Sequence, residues 1–68
     1  MHCIYKHMMV EMFLRGLNGK QLADKAGIGY HRFRRAMTGA AELTLADALL
    51  VKHALGSELP VEYLFATE

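Results

Sequence analysis

Apolar residues recur along the chain at the three- and four-residue spacing of amphipathic helices, and residues that stop helices interrupt them at short intervals. A first helix is predicted from about Ile4 to Arg15, where Gly16 follows. Its bulky apolar residues are Met8, Met9, Met12 and Phe13. We expect the three methionines, together with Met37, to fill the core, because an unbranched thioether adapts to irregular gaps.

Two short helices follow, separated by only three residues. Asn18 is a favourable N-cap, and Gln21 stands three positions later, as in a capping box. The apolar stripe of this second helix comprises Leu22, Ala23 and Ala26. Gly27 is expected to end it, since glycine readily adopts the left-handed conformation after a helix. A third helix is predicted from Tyr30 to about Thr38.

Two further helices complete the predicted fold. Thr44 is the expected N-cap of a fourth helix, which has Asp47 in the capping-box position and continues through Leu55. Its apolar residues lie nearly all round, so we expect either the central helix of the bundle or a helix partly covered by a partner. They are Leu45, Ala48, Leu49, Val51 and Leu55. Pro60 is expected to open a fifth helix that reaches Phe65. No segment alternates apolar and polar residues, so the predicted fold class is all-α, a compact five-helix bundle.

Length and composition predict one domain over residues 1–68. Hydrophobic residues make up 53% of the chain and there is one proline, as in folded domains of this size. With Cys3 as the only cysteine, no internal disulfide can form, and a cytoplasmic location is expected. No signal-peptide core or apolar run of about 20 residues occurs, so we expect neither secretion nor a membrane span. Met1, Met8 and Met9 are alternative translation starts, and with a later start residues 1–9 would be an N-terminal extension.

Charge is distributed unevenly, although the net formal charge is only +1. Residues 18–39 contain five basic residues and one acidic residue, a local charge of +4, whereas three basic and six acidic residues elsewhere give −3. Three of the basic residues, Arg32, Arg34 and Arg35, lie within four positions on the third helix. A basic patch on a single helix favours a nucleic-acid partner.

Three residues in this segment satisfy the spatial demands of two closely packed helices. The small Ala23 permits close crossing, Gly27 supplies a left-handed turn four positions later, and the apolar Phe33 anchors the next helix. This pattern resembles the phage repressor and Cro family of DNA-binding proteins, and the resemblance covers residues 17–65. It implies a helix-turn-helix, in a fold like that of the lambda repressor, in which the third helix reads DNA.

Several positions depart from the family's pattern. Gly19 stands where a glutamine usually opens the second helix, and Gly29 replaces the usual Ser or Thr cap. Ala40 and Ala41 occupy a loop that is often basic. We therefore expect fewer contacts with the DNA backbone than is usual in the family.

The third helix has two distinct faces when its residues are placed about 100° apart. The apolar face comprises Phe33, Ala36 and Met37, and the other carries cations and hydrogen-bonding groups, as readout of the major groove requires. Base contacts are expected from Tyr30, His31, Arg34 and Arg35. Phosphate contacts are expected from Asn18, Lys20, Lys25, Arg32 and Thr38. Arg35 lies where the family often carries a base-reading glutamine, and as an arginine it should prefer guanine.

The sequence predicts neither an enzyme nor a cofactor or small-molecule ligand. The motifs of nucleophilic, nucleotide-binding and zinc-dependent enzymes are missing. Cys3 and His7, with His2 nearby, have a spacing that zinc or nickel could use, but structural zinc sites have four ligands at closed spacings. We therefore predict no metal site.

The expected function is that of a Cro-like prophage repressor, a transcription regulator that occludes a promoter as a homodimer. A dimer surface is expected near the C-terminus, with the N-terminal segment as a second candidate. The C-terminal residues are Leu59, Val61, Leu64 and Phe65. Two alternatives remain open: an antitoxin whose partner is a toxin, and a protein-interaction module in which the arginines only maintain solubility.

Overall fold

A computed structural model describes residues 3–67 and places five helices in them, with no strand in that range. The helices are α1 (Lys6–Leu14), α2 (Gly19–Ala26), α3 (Tyr30–Met37), α4 (Leu45–Leu55) and α5 (Val61–Leu64). The all-α prediction is therefore confirmed for the described residues. They measure 25 × 25 × 23 Å along their principal axes. None of these helices is long and apolar enough to cross a membrane.

Local capping chemistry sets the ends of α2 as predicted. The Gln21 N–H donates to Asn18 Oδ1 at 2.8 Å, and the Asn18 N–H donates to Gln21 Oε1 at 2.9 Å, which completes a capping box. At the other end Gly27 has φ 73°, and the Ile28 N–H reaches back to the Ala23 carbonyl at 3.0 Å. This bond closes a Schellman motif, which turns the chain sharply towards α3.

The other helix limits differ slightly from the prediction. Ile4 lies outside α1, since the non-helical Tyr5 is the N-cap, and the Ile4 backbone N–H donates across the fold to the Met37 carbonyl at 2.8 Å. Helix α5 ends at Leu64, with Pro60 as its N-cap instead of its first residue. In α4 the Asp47 N–H donates to Thr44 Oγ1 at 3.1 Å, so the predicted cap forms. The Asp47 side chain does not complete a capping box, because it bonds to α3.

The core contains residues from every helix. Its largest fully buried side chains are Phe33, Met8, Leu22, Met37, Leu64 and Val51. Helix α2 packs against both α3 and α4, and α5 closes the core against α1 and α4. The prediction that methionines fill the core is correct for Met8, Met12 and Met37 and wrong for Met9, which points outward from α1 and is 43% exposed.

The N-terminal segment is integrated in this core as far as it is described. Cys3 and Met8 are buried, so this segment supplies side chains to the core. Burial raises the pKa of the Cys3 thiol, which keeps it protonated and unreactive. Met1 and His2 lie outside the described residues. The predictions that concern them, a translation start at Met1 and His2 as a neighbour of the Cys3 and His7 spacing, therefore lie outside the described residues as well. Among the described residues no group of three or more potential metal ligands occurs.

Part of the surface expected to form a dimer near the C-terminus is buried within the chain. Leu64 is fully buried, and Leu59 and Phe65 are half-buried against the core. Val61 is half-buried as well. Edge-to-face contact with Tyr5, at 5.5 Å between ring centroids, holds Phe65 in place. Tyr63 of α5 is 49% exposed, and the other large exposed apolar residues lie on the outward faces of α1 and α4. They are Met9, Val10, Phe13 and Leu14 on α1, and Leu45, Leu49 and Leu50 on α4.

Candidate nucleic-acid interface

Helix α3 is held by one apolar face, which determines the direction in which its cations point. Phe33 is 1% exposed, and Ala36 and Met37 are similarly buried. Successive positions on a helix are about 100° apart, so these three residues leave roughly half of the circumference to solvent. The hydrophobic anchor therefore fixes α3 in rotation about its own axis.

The free face of α3 carries the cations and polar groups that the sequence analysis assigned to base contacts. His31, Arg34 and Arg35 are exposed, and Tyr30 is half-buried against the core. Neither Arg34 nor Arg35 forms a salt bridge with any residue between 3 and 67. Each guanidinium presents a fixed fork of donors that suits a guanine edge or a phosphate. This face therefore offers unneutralised charge and directional hydrogen bonding together.

Arg32 occupies the edge of the same helix and has a partner within the fold. Its Nη2 donates to Asp47 Oδ1 at 2.9 Å, which links α3 to α4. The arginine side chain remains 63% exposed, whereas that of Asp47 is only 12% exposed. Arg32 can thus anchor α3 through one nitrogen while its other donors face solvent. The carboxylate lowers the net charge at this edge, so Arg32 differs electrostatically from Arg34 and Arg35.

Two lysines of α2 extend the positive surface beside α3. Lys25 is exposed in the last turn and has no ion pair within the described residues. Lys20 lies 3.9 Å from the Asp24 carboxylate and 6.0 Å from the centre of the Tyr30 ring. An ion pair this exposed is worth little, so Lys20 stays available to an anionic ligand.

Two of the residues expected to contact phosphate already use their side chains locally. Asn18 Oδ1 accepts the capping bond of α2, which leaves only its amide group as a donor. The Thr38 hydroxyl donates to the Arg34 carbonyl at 3.1 Å, so it must rotate before it could donate to a phosphate. These two residues therefore contribute less to the positive surface than the lysines and arginines do.

The beginning of α3 is not capped by a side chain. Gly29 is its N-cap and has none to offer, so the first-turn N–H groups lack the acceptor that Ser or Thr would supply. Helix N-termini carry partial positive charge, which adds to the charge of the neighbouring cations.

Sequence reasoning did not identify Asp47 as part of this site. Its spacing from Thr44 predicts only a helix-capping role, although Asp47 lies on the buried, otherwise apolar side of α4. An acidic residue in such a position normally has a partner. That pattern was a usable signal, but the identity of the partner depends on how α3 and α4 pack.

Comparison of the chain with protein-family models, with curated proteins and with solved structures finds no match.

Proposed function

We propose that this protein is a sequence-specific regulator that binds double-stranded DNA, with α2 and α3 acting as a helix-turn-helix and α3 entering the major groove. The observation that carries the proposal is the free face of α3. It holds two unpaired arginines beside a histidine on a helix whose opposite side is locked in the core. Such a helix can present the same side chains to a base edge each time it docks.

The surrounding residues support separate roles in the site, with some side chains suited to read bases and others to contact phosphates. Lys20 of α2 lies beside Tyr30 at the start of α3, and Lys25 is a second exposed cation of α2, so both are suited to contact the phosphate backbone. Arg32 lies at the edge and is partly neutralised by Asp47, which suits a residue that positions the helix. Arg35 lies near the middle of the free face and is the proposed reader of guanine.

We further propose that two copies read a two-fold symmetric operator. Half-sites for such a pair lie one helical turn apart, about 34 Å. Occlusion of a promoter by the bound pair would make the protein a repressor of the Cro type.

The test is binding of fluorescent duplex DNA, followed by anisotropy at several salt concentrations. A site obtained by selection from a random duplex pool serves as the cognate ligand, and a scrambled duplex as its control. The proposal expects salt-dependent binding to both and tighter binding to the selected site. A double variant, Arg34→Ala with Arg35→Ala, should lose this preference. Lys52→Ala removes a cation of α4, outside both α3 and α1, and should leave the preference unchanged. Salt-independent or undetectable binding would contradict the proposal.

A protein-interaction module is the second candidate, favoured by the exposed apolar residues of α1 and α4. On that proposal the partner binds these faces and the arginines contribute only solubility. The antitoxin alternative combines both surfaces, with DNA on α3 and a toxin on an apolar face. Co-purification from the native host with and without nuclease treatment separates the candidates, since only a protein partner survives removal of DNA.

A further inference from the structure

The outward face of α1 is the largest group of exposed apolar side chains on the molecule as described. Phe13 is 83% exposed and Leu14 69%, and Met9 and Val10 lie beside them one turn earlier. Residues at i, i+1, i+4 and i+5 form a continuous seam along one side of a helix. Folding covers only the opposite side, where Met8 and Met12 are buried. Soluble proteins rarely leave such a seam open without a partner.

From this seam we infer that α1 pairs antiparallel with α1 of a second copy of the chain, about a two-fold axis between residues 11 and 12. In this register Val10 lies opposite the partner's Phe13, and Met9 opposite the partner's Leu14. The pairing is isologous, because each copy contributes the same surface. It deepens the proposed function, on which its effect on DNA binding rests, by assigning the surface that joins the two copies.

Charge complementarity favours a second copy over another occupant. Lys6 lies in the first turn of α1, which carries no acidic residue, and there it faces the positive end of its own helix dipole. The last turn of α1 has no basic residue. Antiparallel pairing places each Lys6 beside the negative end of the partner's α1. This contact offsets both the unfavourable position of Lys6 on its own helix and the lack of a basic residue in the last turn. Arg15, the C-cap residue, lies at this end too, but its ion pair with Glu11 at 3.1 Å reduces the repulsion that it exerts on the partner's Lys6.

The size of the seam indicates a weak pair. A helix of nine residues is about 13 Å long, and its face falls short of the roughly 800 Å² that each partner contributes to a standard interface. Free protein should therefore dimerise only at high concentration. On DNA, two copies held at neighbouring half-sites reach an effective concentration near the millimolar range, where a weak contact becomes sufficient. The cations of residues 18–39 all lie outside α1, so the seam contains none of the side chains proposed to contact DNA.

The experiment is sedimentation velocity of the free full-length chain over a wide concentration range, with circular dichroism to verify folding. Phe13→Glu should weaken association by at least about tenfold, because each copy would lose a large apolar contact. Leu45→Glu is the matched control, since it places the same charge on the exposed apolar face of α4 and should leave association unchanged. Both residues are exposed, so both variants should fold.

Mixing experiments test the register. Val10→Lys alone should also weaken association, whereas an equimolar mixture with Phe13→Glu should restore it, since residue 10 of one copy faces residue 13 of the other. A strictly monomeric wild type, or dissociation by Leu45→Glu and not by Phe13→Glu, would overturn the proposal. If the mixture of the two variants associates no better than either variant alone, the antiparallel register is wrong.

DNA binding by the same variants separates this inference from the proposed function. Phe13→Glu is expected to abolish self-association and cooperative occupancy of paired half-sites and to retain binding to a single half-site. That result would support both the α1 pairing and the proposed DNA-binding function. Self-association without any DNA affinity would leave the α1 pairing intact and refute the proposed function.

Discussion

The ion pair between Arg32 and Asp47 predicts that one substitution on α3 will lower stability and, under the proposed function, DNA affinity as well. Arg32→Ala removes a 2.9 Å bond and leaves a carboxylate that is only 12% exposed without its partner. Hydrogen bonds to charged groups contribute about 1.5–3 kcal/mol, and exposed ion pairs roughly 0–1 kcal/mol. Because the arginine is 63% exposed, water screens the pair, and we expect a loss of about 1–2 kcal/mol.

Thermal unfolding by circular dichroism measures this loss, since each kcal/mol shifts the Tm of so small a domain by about 4–8 °C. A double-mutant cycle with Asp47→Asn isolates the pair from other effects of each substitution. The expected coupling is about 1 kcal/mol. In DNA binding, Arg32→Ala should weaken cognate and scrambled duplexes equally and flatten the salt slope by about one unit per lost contact.

Asp47→Asn should act oppositely on DNA affinity, because it removes a negative charge beside Arg32 and releases the guanidinium. We expect binding to all duplexes to tighten while the Tm falls. Two results would refute the reasoning: a coupling energy near zero, which would mean that the ion pair contributes nothing in solution, or a weaker affinity in Asp47→Asn at a temperature where it remains folded.

Four further predictions follow from the same structure. Arg35→Ala should cost about 1–3 kcal/mol on the cognate duplex and relax preference at one base pair per half-site; equal losses on cognate and scrambled duplexes would contradict its role as a reader. Phe33→Ala should cost about 3–5 kcal/mol of unfolding free energy in a denaturant titration, because the side chain is 1% exposed, and a loss below about 1 kcal/mol would contradict the anchor. With roughly three phosphates engaged per subunit, a dimer should show a log–log salt slope near about −5, and a slope near zero would remove the electrostatic basis of binding. Burial raises the pKa of the Cys3 thiol, so a thiol reagent should react slowly with the native protein and rapidly in denaturant, and equally rapid reaction in both states would place Cys3 at the surface.

Most helix limits could be predicted from the sequence because they depend on neighbours a few residues away. Asn18 and Gln21 cap each other across three positions, and Gly27 turns the chain through bonds that reach back no further than Ala23. The two faces of α3 were predictable for the same reason, since helical geometry alone separates Phe33 from Arg35 by about 200°. The position of Ile4 could not be predicted in this way, because its N–H bonds to the Met37 carbonyl, more than thirty residues away.

Only the tertiary structure decided which apolar and charged residues meet a partner within the chain. Leu64 and Phe13 are both large and apolar, yet the first is fully buried and the second 83% exposed, because α5 folds back onto the core while one side of α1 meets nothing. Likewise, three nearby arginines look alike in the sequence, and only the packing of α3 beside α4 gives Arg32 a carboxylate and leaves Arg35 without one among residues 3–67. The physical reason is that capping and helical periodicity act over a few residues, whereas burial and ion pairing depend on distances between helices that no local pattern encodes.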